Sequence, residues 1–194
     1  RPFEVVVNDV VHRTNALIIA TGATAKWLNL PEESQFQGRG VSSCATCDGF
    51  FFRDKEIFVV GGGDSAMEEA NFLTRFASKV TLVHRRDSFR ASKIMVDRLL
   101  ANPKVEVLYN KEIVRYLSDN GKTVTGARLR DTKNGEEHDA KVDGIFLAIG
   151  HTPNTAFLEN QLTLDEGGYV ILKGATGTNI EGVFACGDVA DSRY

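Results

Sequence analysis

The apolar run Ile57-Phe58-Val59-Val60 passes without a break into Gly61-Gly62-Gly63-Asp64-Ser65-Ala66. This fits the pattern G-x-G-x-x-G/A through Gly61, Gly63 and Ala66. In such a turn the first glycine makes the bend and the second lets a pyrophosphate approach the backbone. The small third residue lets a helix pack onto its strand. Met67, Ala70, Leu73 and Phe76 then recur at helical spacing and predict an amphipathic helix. Ser65 and Glu68 have the spacing of a capping box, and the first N–H groups of the helix would face phosphates. Val80-Thr81-Leu82-Val83 predicts a second strand. A glycine turn alone is a weak sign. The whole order of strand, glycines, helix and strand is specific for dinucleotide binding.

The end of the second strand bears on which dinucleotide. An NAD site places an acidic residue there, on the ribose hydroxyls. Here the place holds His84-Arg85-Arg86, with Arg90 a turn further on. Arginine is always charged and forks onto phosphate oxygens, so NADP(H) is favoured over NAD(H). Asp87 is a carboxylate past the arginines, and a solvated basic edge is the plain alternative. Ile94, Leu99 and Leu100 predict a second amphipathic helix, ended by Asn102-Pro103.

Upstream lies Cys44-Ala45-Thr46-Cys47-Asp48-Gly49. Two cysteines at this spacing can bring their sulfurs together and cycle between dithiol and disulfide. A vicinal pair also tends to lower the pKa of one thiol. Asp48 is placed to exchange a proton with that thiolate. Half a zinc site and two core cysteines are the competing readings. Structural zinc needs four ligands at metal spacing. The remaining cysteine, Cys186, and the histidines His12, His84, His138 and His151 are scattered, which favours redox chemistry and no metal. The aromatic run Phe50-Phe51-Phe52 is expected to pack beneath the redox turn. The polar, glycine-rich residues 35–43 read as a flexible approach to it.

The flanks read as strands. Residues 3–7 and 10–12 surround an Asn8-Asp9 turn, and the apolar run 16–20 predicts a buried strand ending in Thr21-Gly22. Residues 26–33 read as a surface connection. Residues 105–109 form a further strand. Residues 114–117, 124–130 and 137–142 predict an antiparallel meander turning at Asp119-Asn120-Gly121 and Asn134-Gly135. Its charges suggest a solvated layer without chemistry. Residues 142–150 return to a buried strand and a glycine turn. Residues 183–189 give a strand ending in Gly187-Asp188, with Cys186 expected buried. There Asp188 either meets a cofactor hydroxyl or caps a helix. Domain boundaries fall near Ala25 and Gly150, dividing the chain into 1–25, 26–149 and 150–194.

Composition narrows the class. Of 194 residues, 42% are hydrophobic and 25% charged, as in a globular protein, and the net charge of -3 argues against a broad nucleic-acid surface. No apolar run is long enough to span a bilayer, and no signal peptide is expected. Three cysteines, two of them vicinal, do not make a secreted disulfide framework, so a reducing cytoplasmic setting is expected. The chain begins at Arg1 inside strand-like sequence and reads as a piece of a longer protein.

Together these motifs resemble the low-molecular-weight, NADPH-dependent thioredoxin reductases, class II pyridine nucleotide-disulfide oxidoreductases. The match rests on the Cys44–Gly49 stretch, the Gly61–Ala66 loop, His84-Arg85-Arg86 with Arg90, Ala148-Ile149-Gly150-His151, and Gly187-Asp188, and covers essentially the whole chain. The resemblance implies an α/β, Rossmann-like three-layer NADPH domain, a parallel sheet plus an antiparallel meander. It is inserted in an FAD-binding domain that this chain carries incompletely, since the first FAD-binding strand would precede Arg1. It implies electron flow from NADPH through FAD to the Cys44/Cys47 disulfide and on to thioredoxin. Cys47 would face the flavin, Cys44 would attack thioredoxin, and Asp48 would be the acid/base. Gly61, Gly63, Asp64, Ser65 and Glu68 would line the NADPH site, with His84, Arg85, Arg86 and Arg90 at its phosphate end. Thr21, Gly22, Gly187 and Asp188 would touch FAD. It further implies a homodimer whose domains swing about connections near Ala25 and Gly150. Two other readings stand beside it. One is a redox-inert NADP(H)-binding fragment without flavin; the other is a related flavoprotein serving a dithiol or peroxiredoxin-system acceptor.

Overall fold

The computed structural model describes residues 2–191. In chain order its elements are β1 (Phe3–Val7), β2 (Val10–Thr14), β3 (Leu17–Ile19), β4 (Ala23–Ala25), α1 (Glu33–Phe36), β5 (Val41–Ser42), α2 (Ala45–Asp48), β6 (Glu56–Gly61), α3 (Asp64–Leu73), β7 (Lys79–His84), α4 (Lys93–Leu100), β8 (Val105–Tyr109), β9 (Lys111–Leu117), β10 (Gly126–Asp131), β11 (Glu137–Lys141), β12 (Gly144–Ala148), β13 (His151–Pro153) and β14 (Val183–Ala185). Short 3-10 turns occupy Gly49–Phe52, Ala156–Leu158 and Gly187–Val189. The elements form two compact units, a central one of residues 26–150 and a flanking one of residues 1–25 and 151–194.

The central unit is a three-layer α/β fold. Its parallel sheet has the order β5-β12-β6-β7-β8. Both faces of the sheet are covered, which is why β6 and β12 read as unbroken apolar runs. The pleat sends alternate residues to opposite faces. Ile57, Val59, Phe146 and Ala148 meet Ala66, Met67, Ala70 and Leu73 of α3 and Leu99 of α4. Phe58, Val60, Ile145 and Leu147 meet Ile113, Tyr116, Ala127 and Leu129 of a meander ordered β11-β10-β9. The meander is therefore a packing layer, not the solvated one its charges suggest. Its inner face is apolar, and a register shift between Arg128 and Leu129 hides the alternation in the sequence. The charges pair on the outer face, as Arg128 does with Asp139 at 2.7 Å.

Residues 26–43 are also more structured than expected. Trp27, Leu28 and Leu30 pack against the meander side, and Phe36 and Val41 are buried in it. The approach to the cysteines is thus a folded sheet edge and not a loose loop. In α4 the expected apolar face is corrected: Ile94 and Leu100 are exposed. Ile94 lies five residues before Leu99, about 140° round the helix. Met95 and Val96, four and three residues before Leu99, pack inward instead. The N–H of Lys26 donates to the carbonyl of Gly150 at 2.9 Å, so the two ends of the central unit meet.

In the flanking unit, β1 and β2 form a hairpin whose turn residues Asn8 and Asp9 both have positive φ, 48° and 63°. Such a turn matches the twist of its strands. β3 pairs in parallel with β14 and β4 antiparallel with β13. Of the run 16–20, only Ile19 is buried. Ile18 and its register partner Phe184 are exposed on the other face of that strand pair. Among the described residues, no helix is long and apolar enough to cross a membrane.

Candidate functional site

Cys44 and Cys47 form a disulfide with S–S 2.00 Å and Cα–Cα 5.3 Å. The local fold makes it possible: Cys44 is the N-cap of α2, and one helical turn returns Cys47 beside it. The N–H of Cys47 donates to Cys44 Sγ at 3.2 Å, and the N–H of Cys44 donates to Ser42 Oγ at 3.0 Å. Cys47 is exposed and Cys44 half-buried. The Asp48 carboxylate is half-buried and makes no hydrogen bond or ion pair among the described residues.

What fixes α2 is its seat on α3. Ala45 is buried in the cluster that holds Ala66 and Leu73. A Cβ on Gly49 would stand 2.9 Å from Leu73 and 3.4 Å from Phe76, so only glycine lets the turn come this close. The three phenylalanines do not all pack beneath the turn. Phe52 is half-buried and meets Phe146 edge-on at 5.1 Å, while Phe50 and Phe51 are 62% and 69% exposed. In a 3-10 turn, residues three apart share a face, so Gly49 and Phe52 point inward and the pair between them outward.

The glycine loop joins β6 to α3 at the edge where β12 runs beside β6. Here the strand order reverses, which is where α/β sheets bind ligands. A Cβ on Gly61 would collide with the Ala148 carbonyl, and one on Gly62 with the His84 ring. A Cβ on Gly63 would meet nothing within 4 Å. Gly63 is the N-cap of α3, and no side chain caps this end. The expected capping box between Ser65 and Glu68 is therefore absent, since Ser65 lies inside the helix. Among the described residues the N–H groups of Asp64 and Ser65 have no intrahelical partner, while that of Ala66 donates to the Gly63 carbonyl at 3.0 Å. Ser65 and Glu68 are exposed beside them, and Asp64 Oδ1 accepts from the N–H of Ser92 at 2.7 Å.

His84 is 6% exposed. Its Nε2 lies 2.9 Å from the Ser88 carbonyl, and its ring rests on Phe89 at 5.1 Å. It props the glycine loop from beneath instead of facing a phosphate. Arg85, Arg86 and Arg90 are exposed and form no ion pair among the described residues. The N–H groups of Arg90 and Ala91 both donate to the Gly62 carbonyl, at 2.8 and 3.2 Å, tying the arginine loop to the glycine loop. Arg85 and Arg86 line an open pocket of about 500 Å³ together with Glu112, Arg130, Asp131 and Thr132. Arg130 is engaged there, with Nε and Nη2 on Glu112 Oε1 at 2.9 and 2.7 Å.

Glu69 carries no signal in the sequence. Its Oε2 is buried without a hydrogen-bond partner among the described residues, and burial lifts its carboxyl from 4.5 to about 7. Nothing in the pair Glu68-Glu69 distinguishes them by type. Only helical position does, because Glu69 lies one turn before Phe72 and Leu73, which contact Gly49.

In the flanking unit, Thr21 and Gly22 follow β3, and Gly187 and Asp188 follow β14. The parallel pairing thus brings all of them to one end of the strands. Gly22 and Gly187 have φ of +70° and +74°, and neither would meet an atom within 4 Å if a Cβ were added. Thr21 Oγ1 donates to the Asn154 carbonyl at 2.8 Å, and the N–H of Asn154 to the Gly22 carbonyl at 2.9 Å. Asp188 lies inside a 3-10 turn and is exposed, so it is not an N-cap. Cys186 is exposed and not a core residue. The alternation that turns Val183 and Ala185 inward turns Phe184 and Cys186 outward.

A vicinal disulfide seated on the helix that leaves a dinucleotide-type glycine loop defines an α/β oxidoreductase fold with a built-in redox pair. The chain belongs to the pyridine nucleotide-disulphide oxidoreductase family, whose model matches residues 4–194. It is similar to a thioredoxin reductase of Mycolicibacterium smegmatis, 56% identical over 191 residues, which is 98% of this chain and 61% of that protein. It is similar also to a glucosaminate ammonia-lyase of Pseudomonas fluorescens, 50% identical over 202 residues, 100% of this chain and 62% of that protein. Among solved structures, the thioredoxin reductase of Giardia duodenalis matches with a TM-score of 0.85 at 42% identity, over 100% of this chain and 64% of that one. The chain thus spans about three-fifths of the length of the curated relatives it matches.

Proposed function

We propose that this chain supplies the NADPH-binding and disulfide-bearing part of a thioredoxin-disulfide reductase, with an FAD-binding portion to which residues 1–25 and 151–194 contribute. The observation that carries this reading is the Cys44–Cys47 disulfide on α2, with Cys47 exposed and Cys44 half-buried, packed against the glycine-loop helix α3. The open backbone at Gly63 and the uncapped start of α3 fit a pyrophosphate, and Arg85, Arg86 and Arg90, in no ion pair among the described residues, fit a 2′-phosphate. The open backbone at Gly22 and Gly187, with the Asp188 carboxylate beside it, fits part of a flavin nucleotide. When bound, NADPH supplies a hydride and FAD relays its electron pair.

The residues of the chain do the thiol chemistry. Two electrons and two protons convert the Cys44–Cys47 disulfide to two thiols. The N–H of Cys47 aimed at Cys44 Sγ stabilises a thiolate there. That thiolate attacks one sulfur of thioredoxin's disulfide, forming a mixed disulfide and releasing the other sulfur as a thiolate. Cys47 then attacks Cys44 Sγ, which reforms the internal disulfide and frees thioredoxin as a dithiol. Asp48, its carboxylate free of partners among the described residues, transfers the proton between solvent and the thiolate. The enzyme works as a cytoplasmic homodimer.

Anaerobic NADPH titration of the purified protein, with free thiols counted before and after, tests this. Two new thiols and thioredoxin reduction that Cys44→Ser abolishes are expected. Ammonia release from glucosaminate with no new thiols would overturn the reading.

A further inference from the structure

Arg85 and Arg86 project from a loop after β7, and an exposed guanidinium aims at a phosphate only as well as its backbone is held. The front of that loop is tied down by Gly62 and His84. Its back is held by the meander, a layer whose charged strands show no chemistry of their own. The N–H of Asn110 donates to the Arg86 carbonyl at 3.1 Å. Thr132 Oγ1 donates to the Arg85 carbonyl at 3.0 Å. The N–H of Thr132 donates to the Asn110 carbonyl at 2.8 Å, closing a ring of hydrogen bonds behind the two arginines. Asn110 has φ +56°, a left-handed conformation that Asn tolerates, and it is the single residue between β8 and β9.

We infer that Thr132 is a positioning residue for 2′-phosphate recognition, acting through the carbonyl of Arg85. The inference rests on the NADP(H) reading above. The other charges of the pocket do not compete for the role. Arg130 is held by Glu112, and Asp131 is held by Lys111 at 2.7 Å. Among the described residues Arg85 and Arg86 are thus the pocket's unpaired cations, and the Thr132 side chain bonds to their backbone. Anchoring that backbone preorganises both forks before the nucleotide arrives, which lowers the cost of binding. Only a ligand with a 2′-phosphate gains from it.

Calorimetric titration of the protein with NADP+ and NAD+ at fixed salt tests this, using wild type, Thr132→Val and Thr132→Ser. Loss of one hydrogen bond corresponds to roughly a three- to tenfold change in affinity. Thr132→Val is expected to weaken NADP+ by that factor and leave NAD+ unchanged. Thr132→Ser, which keeps the hydroxyl, is expected to match wild type. Unchanged NADP+ affinity in Thr132→Val, or an equal loss for both nucleotides, overturns the positioning role. A wild-type protein that does not prefer NADP+ overturns the NADP(H) reading and the inference with it.

Discussion

Tyr116 Oη donates a 2.6 Å hydrogen bond to Glu33 Oε1, joining the meander to α1 across 83 residues of sequence. Glu33 is 4% exposed and also accepts from the N–H groups of Leu28 and Asn29, at 3.0 and 2.8 Å. Burial, and then the carboxylate partner, push the Tyr116 phenol well above its ordinary range, so it remains a donor. Tyr116→Phe removes one donor from a buried carboxylate. The expected loss is about 1–3 kcal/mol of unfolding free energy, read by urea denaturation. A loss below experimental error would show that water replaces the hydroxyl.

Asp48 is the carboxylate next to the exposed sulfur. If it carries the proton to and from the thiolate, Asp48→Asn slows NADPH-dependent thioredoxin reduction by about 10²–10⁴-fold, the range of a lost general acid or base. The disulfide should still form in the variant. Thioredoxin turnover at the wild-type rate would remove Asp48 from the chemistry.

Glu69 gives the fold a pH dependence. The folded carboxyl titrates at about 7 and the ordinary one at 4.5, so between these values the folded protein keeps a proton that the unfolded chain has released. Its stabilising contribution is full below 4.5 and is lost as pH rises to 7. Glu69→Gln, which stays neutral, should flatten this slope. Because the group is partly exposed, its gain over wild type between about pH 5 and about pH 8 is on the order of 1–2 kcal/mol. Parallel stability curves for the two proteins would contradict the raised carboxyl.

The glycines separate folding from binding. Gly62→Ala meets the buried His84 ring and should cost about 1–3 kcal/mol through overpacking. Gly63→Ala has open space and φ −99°, so it should fold like wild type yet weaken NADP+ binding. Melting curves and nucleotide titrations on the pair check both. A Gly63→Ala protein with wild-type affinity would mean that the nucleotide does not approach there.

Much of this site was legible in the sequence because its signals are local. A strand, a glycine turn and a helix lie within one stretch, and two cysteines one helical turn apart can meet only in one way. What was hidden depends on partners far along the chain. Glu33 lies in a stretch that reads as a surface connection, because its donor Tyr116 comes from another layer. His84 sits where a phosphate ligand is expected, yet Gly62 leaves room for its ring below the loop. Phe50 and Phe51 read as core by type. The three-residue period of their turn, invisible in composition, points them outward.

The hydrogen bond from Lys26 to Gly150 closes the central unit at its own neck. A segment whose entrance and exit touch can be lifted out of one gene and set into another without stretching the host chain. The stretch 26–150 is in that sense a cassette, and expressed alone it should fold and retain both its disulfide and its glycine loop.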